Sequence, residues 1–347
     1  MSINIEKKNF GFLPDGTSAD LYVMTNETGA FAEISTWGAR INRVMVPDQS
    51  GKLTSVVKGY RSLEDFQTDD GYLGATCGRF ANRIAKGKFI ADGEEYSLAC
   101  NNGDNALHGG PTGFHVRIWD ARVEGETLIL SYASKDGEEG YPGNFKVEVE
   151  FTWSETNELS MEVIASCDKT TPVNITNHAY FNLNGEGDIL EHTLRINSNR
   201  FIPIMPDAIP TGEISLVKGT AFDFIDAKPI GKDIDSAEEQ IQNGCGYDHC
   251  FVINKPEFGD LALAADAFSQ KTGIGLRVYT TMPGVQFYSG NYLNGVVAGH
   301  EGTVYTKRQA FCLEPEYFPD SPNQSGFPYS LLKPGQTFRE TMIFQFY

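Results

Sequence analysis

The densest chemistry in the chain lies in Pro172-Val-Asn-Ile-Thr-Asn-His-Ala-Tyr-Phe-Asn-Leu-Asn184. In an extended chain, successive side chains point to opposite faces. One face then carries Val173, Ile175, Asn177, Ala179, Phe181 and Leu183. The other carries Asn174, Thr176, His178, Tyr180 and Asn182. Five hydrogen-bonding side chains in a row suit the floor of a polar groove for a ligand with many hydroxyls. The alternative is a solvated polar face on which His178 is merely hydrogen-bonded. A second segment, Phe311-Cys-Leu-Glu314-Pro-Glu316, places Glu314 at the end of an apolar run. Loss of hydration there raises the carboxyl pKa and makes the anion a stronger base. Glu316 shares the face by parity but follows Pro315 and lies nearer the loop, and no role is assigned to it. For either Glu, a surface position is the common alternative. A His and a Glu together are the ingredients of general acid–base catalysis.

Three further segments could support such a pair. Asn105-Ala-Leu-His108-Gly-Gly110-Pro-Thr-Gly113 sets a His before two glycines, on a tight loop where backbone can approach a ligand. A turn with an exposed His is the simpler reading of that segment alone. Gly78-Arg-Phe-Ala-Asn82-Arg83-Ile84 offers an amide and two guanidinium forks suited to hydroxyls or anions, and Arg79 reads as a structural ion-pair partner. Gly246-Tyr-Asp248-His249 enters an apolar run, so Asp248 could accept hydroxyl hydrogens or cap the strand. Cys245 and Cys250 lack a second ligand pair nearby, so no metal site is expected. No G-x-S-x-G elbow, phosphate-binding G-x-x-x-x-G-K-[ST] loop, H-E-x-x-H motif or complete G-x-G-x-x-G occurs. No nucleotide or other cofactor is therefore expected.

The elements that must hold these residues read as strands. In Phe145-Lys-Val-Glu-Val-Glu-Phe-Thr-Trp153 apolar and polar residues alternate strictly, and Leu128–Tyr132 and Leu159–Ala165 flank it. Further candidates are 30–35, 88–90, 194–197, 249–253, 275–280, 285–289, 311–314 and 338–346. Turn signals such as Ala91-Asp-Gly93 and Lys333-Pro-Gly335 separate them. Helical windows are short, at 62–67 and 236–242. Glycine (36 residues) and aromatics (12%) are plentiful, which favours turns and strands over long helices. No linker or fixed-period repeat divides the 347 residues. The expectation is all-β: one large antiparallel β-sandwich domain over 1–347. With 28 Lys and Arg against 46 Asp and Glu, the net charge of −18 argues against nucleic acid and anionic membrane surfaces as partners. The start carries no apolar signal segment and no stretch is long enough to span a membrane, so a cytoplasmic protein with free thiols is expected.

Taken together, the segments resemble the galactose mutarotase (aldose 1-epimerase) family. The resemblance rests on Gly78-Arg-Phe-Ala-Asn-Arg-Ile84, Leu107-His-Gly-Gly110, Thr176-Asn-His-Ala-Tyr-Phe-Asn-Leu183, Gly246-Tyr-Asp-His249, Pro283-Gly-Val-Gln-Phe-Tyr-Ser-Gly-Asn291 and Cys312-Leu-Glu314, all in the family's order. It implies a large β-sandwich with a concave sugar cleft, and interconversion of the α and β anomers of a free aldohexose such as galactose or glucose. It implies His178 as general acid and Glu314 as general base. It places Asn82, Arg83, His108, Tyr180, Asp248 and Gln286 around the sugar. No metal or cofactor is implied, and either a monomer or a homodimer is compatible. Alternatives are a hexose-6-phosphate 1-epimerase, for which basic residues are scarce, a non-catalytic sugar-binding protein, and a glycoside hydrolase using two carboxylates.

Overall fold

The computed structural model describes residues 3–68 and 71–347. The described chain is almost entirely strands and turns, with two short α-helices at Leu63–Thr68 and Glu239–Gly244. Both fall on the expected helical windows. All-β architecture is therefore correct.

The largest sheet has nine strands, and every adjacent pair is antiparallel. Asp120–Glu124, Thr127–Ser134, Phe145–Trp153 and Glu158–Cys167 form a meander in chain order. The C-terminal strand Phe338–Phe346 then joins its edge, followed by Gly275–Thr280, Ala262–Phe268, Thr193–Ile196 and Lys228–Pro229. Phe145, Val147, Val149, Phe151 and Trp153 are all buried, as their alternation requires. With partners from Ile3 to Phe346, they form one continuous apolar cluster. Such burial is the main favourable term in holding a sheet to its cover.

A five-stranded meander, Asn4–Phe12, Ser18–Thr25, Phe31–Ser35, Arg40–Pro47 and Leu53–Ser55, covers the N-terminal part. Of its five strands only Phe31–Ser35 matches an expected one, and Asn4–Phe12 is the clearest miss. It is an edge strand, mostly exposed and carrying Lys7 and Lys8, so no burial enforces a pattern. The third sheet bears on function. It runs Ser215–Leu216, Arg200–Phe201, Asp248–Val252, Gly284–Tyr288 and Cys312–Glu316. Every residue of its last two strands is buried, polar ones included.

The segment 172–184 is extended but is not the continuous strand its pattern suggests. Only Thr171–Pro172 and Thr176–Asn177 pair as strands. The backbone partners change every residue or two: Val173 donates to Ser330, Asn174 to Arg79, His178 to Ala75, Phe181 to Phe311 and Asn182 to Val56. The segment is a central spine to which several loops attach, and no single neighbour runs beside it long enough to make a ladder.

Candidate active site

The spine, the third sheet and the loops at 71–73, 82–83 and 102–108 enclose a cleft of about 800 Å³. All eight residues singled out from the sequence, Asn82, Arg83, His108, His178, Tyr180, Asp248, Gln286 and Glu314, line it.

Of the five polar side chains on one face of the spine, only His178 and Tyr180 reach the cleft. All five are buried. The expected five-residue groove floor is thus reduced to two. Thr176 Oγ1 is buried without a hydrogen-bond partner among the described residues, and for Asn174 and Asn182 the reason is backbone satisfaction. Asn174 donates from Nδ2 to the carbonyls of Ala81 and Tyr317, both at 3.1 Å, and accepts from Tyr317 N at 2.8 Å. Asn182 donates to the carbonyls of Gly187 and Gln309 at 2.9 and 2.8 Å. Buried loop carbonyls need donors, and these amides supply them. Asn174 thereby fixes the residue before Asn82 and the residue after Glu316 to one point.

The spine delivers His178 and the Cys312–Glu316 strand delivers Glu314. His178 Nε2 lies 3.6 Å from Glu314 Oε1. Cys312 Sγ lies 3.4 Å from Nδ1 on the other side of the imidazole. These three residues bring ligand-type atoms within 4.8 Å. The thiol and the carboxylate address opposite ring nitrogens, whose lone pairs diverge, so one ion could not take both short contacts. Glu314 is 2% exposed. Burial, then Glu316 and Asp248, push its carboxyl well above the usual range, while Arg83 opposes this. Tyr180 stacks on His178 with ring centroids 4.9 Å apart.

His108 sits at φ 50, followed by Gly109 at φ 84 and Gly110 at φ 98. A Cβ on Gly109 would collide with the Gly78 carbonyl, so only glycine allows the two loops to meet. Asn82 N donates to His108 Nδ1 at 3.0 Å. Burial, then the neighbouring His178, Arg83 and His115, hold the His108 pKa well below the ordinary 6.5. His108 is therefore neutral with its proton on Nε2, a hydrogen-bond donor rather than a second acid.

Asp248 accepts from Gln286 Nε2 at 2.7 Å, and Arg83 Nη2 stands 4.0 Å away. Burial raises its pKa against both partners. Gln286 Oε1 is buried and has no hydrogen-bond partner among the described residues. It is a buried acceptor with capacity for a further hydrogen bond. Arg83 Nε donates to Asn102 Oδ1 at 2.9 Å, which fixes the fork. Asn82 uses its amide at both ends, accepting from Arg83 N at 2.9 Å and donating to Glu316 at 3.2 Å.

Sequence reasoning missed Tyr72, Tyr288 and Tyr292, which also line the cleft. Tyr288 shares strand parity with Gln286, a signal that was available. Tyr72 had none: it packs on His108 and His115, with centroids 4.8 and 4.7 Å away, from a loop position at φ 56. Arg79 lies outside the cleft, as expected, but for a different reason. Its fork is spent on the carbonyls of Pro142, Gly143 and Lys135 and on Ser134 Oγ. Cys245 is exposed and Cys250 buried, so the two thiols face different surroundings.

A family model described as aldose 1-epimerase matches residues 20–345. The galactose mutarotase of Sus scrofa is 41% identical over 346 residues, covering 99% of each chain. The aldose 1-epimerase of Escherichia coli K12 is 37% identical over 338 residues, 96% of each. Among solved structures, an aldose epimerase homologue from C. elegans superposes with a TM-score of 0.87 at 29% identity, covering 100% of this chain and 99% of that one. A galactose 1-epimerase from Lactobacillus acidophilus gives 0.86 at 27%, with the same coverage.

Proposed function

The chain belongs to the aldose 1-epimerase family and is an isomerase that interconverts the α and β anomers of free aldohexoses, and we propose that His178 and Glu314 carry the reaction. The observation that supports these roles is their 3.6 Å separation at the floor of the cleft. The anomeric oxygen and the ring oxygen are bonded to the same carbon. An acid and a base serving those two oxygens must therefore stand close together, and must come from different elements to reach them from two sides.

Glu314, as carboxylate, takes the proton of the anomeric hydroxyl. His178, as imidazolium, gives a proton to the ring oxygen. The bond between the anomeric carbon and the ring oxygen breaks, leaving an open-chain aldehyde. Rotation beside the carbonyl presents its other face. Ring closure then returns the first proton from Glu314 to the carbonyl oxygen and the second from the ring-forming hydroxyl to His178. Neutral His108 donates from Nε2 to oxygen charge as it develops. Arg83, Asp248 and the unpartnered Gln286 Oε1 hold hydroxyls and keep the ring in register, and Tyr180 supports the imidazole by stacking. Asn82 positions Arg83 and His108 through the bonds described above. No cofactor enters this scheme.

Charge favours a free sugar over its phosphate. Arg83 is the one Lys or Arg among the described lining residues, against Asp104, Asp207, Asp248 and Glu314. A dianionic phosphate would meet more repulsion than attraction. We further read the chain as a single domain, because the main apolar cluster draws on residues from Ile3 to Phe346. The absence of a long apolar helix among the described residues and the acidic charge are compatible with a cytoplasmic enzyme, as monomer or homodimer, that binds neither nucleic acid nor membrane. The test is polarimetry on freshly dissolved α-galactose and α-glucose. Both rotations should relax faster than in buffer, whereas galactose 6-phosphate and glucose 6-phosphate should not. Acceleration with the phosphates alone would overturn the reading.

A further inference from the structure

Glu316 is 0% exposed, yet it does not line the cleft and the reaction above gives it no task. Unpaired carboxyl groups are rarely buried without a function or a partner. It stands two residues beyond Glu314 on one strand, so both side chains leave the same face. Asn82 Nδ2 reaches both of its oxygens, at 3.2 and 3.4 Å, and the Cys250 thiol lies close enough to act on it. No ion pair to Glu316 occurs among the described residues.

The charged and titratable groups facing the two glutamates come from every neighbouring element. Their own strand gives Cys312, the Asp248–Val252 strand gives Asp248 and Cys250, the 82–83 turn gives Arg83, and the spine gives His178 and Tyr180. Three carboxyl groups, the buried Glu314 and Glu316 and the half-buried Asp248, thus share one guanidinium. Arg83 stands nearest Asp248, which also has the Gln286 amide. Carboxylates crowded in this way do not all ionise together, and the last to lose its proton feels the charges already present.

We propose that Glu314 and Glu316 titrate as one coupled pair, in which Glu316, anchored by Asn82 behind the cleft, sets the pH at which the catalytic base becomes available. Glu316 is then a positioning residue that acts through Glu314 and never touches the sugar. The proposal rests on the reading of Glu314 as the base. It also gives the Asn82 amide a second role, since the bond that holds Glu316 comes from a residue that also orders Arg83 and His108.

The test is the pH dependence of kcat/KM for mutarotation in the wild type and in Glu316→Gln. Gln keeps the shape and an acceptor for Asn82 but carries no charge at any pH. Freed of its neighbour's charge, Glu314 should ionise more easily, and the acid limb should move down by about one pH unit, the size of interaction that defines a coupled pair. The rate at neutral pH should fall by no more than about tenfold, because the base is weaker but intact. Glu316→Asp, which keeps the charge, should return the limb toward the wild-type position. An unmoved limb, or one moved to higher pH, would overturn the coupling. Should Glu316→Gln not fold, ¹³C NMR titration of wild-type glutamate side chains decides: two linked steps at Glu314 support the pair, and two independent single steps refute it. Failure of the base assignment looks different, since it leaves Glu314→Gln active whatever Glu316→Gln does.

Discussion

The nine-stranded sheet and the cleft's own sheet solve opposite problems with the same pairing geometry. In the large sheet, strands of nine and ten residues alternate buried apolar with outward polar side chains. Its ladders satisfy the backbone, and its inner face is largely apolar, with Glu340 held there by hydrogen bonds from Tyr317 and Thr281. In the smaller sheet, the five-residue strands Gly284–Tyr288 and Cys312–Glu316 are buried throughout, and they carry Gln286, Glu314 and Glu316 inward. There the backbone ladder is a frame for polar groups that burial disfavours. The first region supplies stability by removing apolar area from water. The second spends some of it to keep carboxyl groups and imidazoles where water cannot level their pKa values. Such a division means that stability and turnover should respond to different residues.

The strongest attempt to break that division is at the proposed acid–base pair, His178 and Glu314. Glu314→Gln and His178→Asn should each cut turnover by at least about a hundredfold, the lower end of what a placed general acid or base contributes. Neither should lower the thermal midpoint much, since the Gln variant removes a buried charge rather than a packed core group. Near-normal polarimetric rates in either variant would refute its role. The reciprocal change is Phe151→Ala in the large sheet, where the ring is fully buried. It should lose about 3–5 kcal/mol of stability, measured by denaturant unfolding, with kcat unchanged well below the midpoint. A large drop in kcat of the folded variant would show that the two regions are not separable.

The same contrast governs what could be read from the sequence. Alternation is enforced where one face is buried and the other wet, so 145–153, 275–280 and 338–346 match the observed strands residue for residue. It is not enforced at an exposed edge, and Asn4–Phe12 was missed. It misleads where both faces are buried. Parity correctly put Asn174, Thr176, His178, Tyr180 and Asn182 on one side of the spine, but could not tell that Asn174 and Asn182 face loop carbonyls rather than the cleft. The cleft-lining residues were legible because a His before two glycines, or a Glu closing an apolar run, is unusual in itself. Glu316 was passed over because its environment is made by Asn82 and Cys250, both distant in sequence.

A milder probe uses Asp248 and His249, neighbours on one strand that face opposite ways. Burial acts on both, with opposite signs. It raises the pKa of Asp248 in the cleft and lowers that of His249 to about 3 behind it. His249 lies among Phe222 and Phe201, and its Nδ1 accepts from Asp248 N at 3.2 Å. Its folded pKa lies below the unfolded value of about 6.5. Its contribution to stability is therefore fully present above pH 6.5 and is lost as pH falls toward 3, because the unfolded chain then binds a proton that the folded chain refuses. His249→Gln should flatten the fall of unfolding free energy between these limits by about 1.4 kcal/mol per pH unit. An identical slope in wild type and variant would mean that His249 takes its proton without unfolding.

The smallest expected effect belongs to the best-looking ion pair. On the outer face of the large sheet, Arg122 meets Glu148 through two parallel contacts of 2.9 and 3.2 Å, and Glu124 adds a third at 2.8 Å. By distance alone these surpass the 3.6 Å contact of His178 with Glu314. Their surroundings reverse the ranking. Both partners are exposed, so water and salt screen the attraction, and two long side chains lose freedom to make it. The cleft pair is buried, and nothing screens it. Arg122→Ala should leave the thermal midpoint within about 2 °C of wild type and turnover unchanged, with any difference erased in 0.5 M salt. A larger loss of stability that survives salt would show that this outer face is not merely solvated, and that the large sheet depends on its polar side as well as its apolar one.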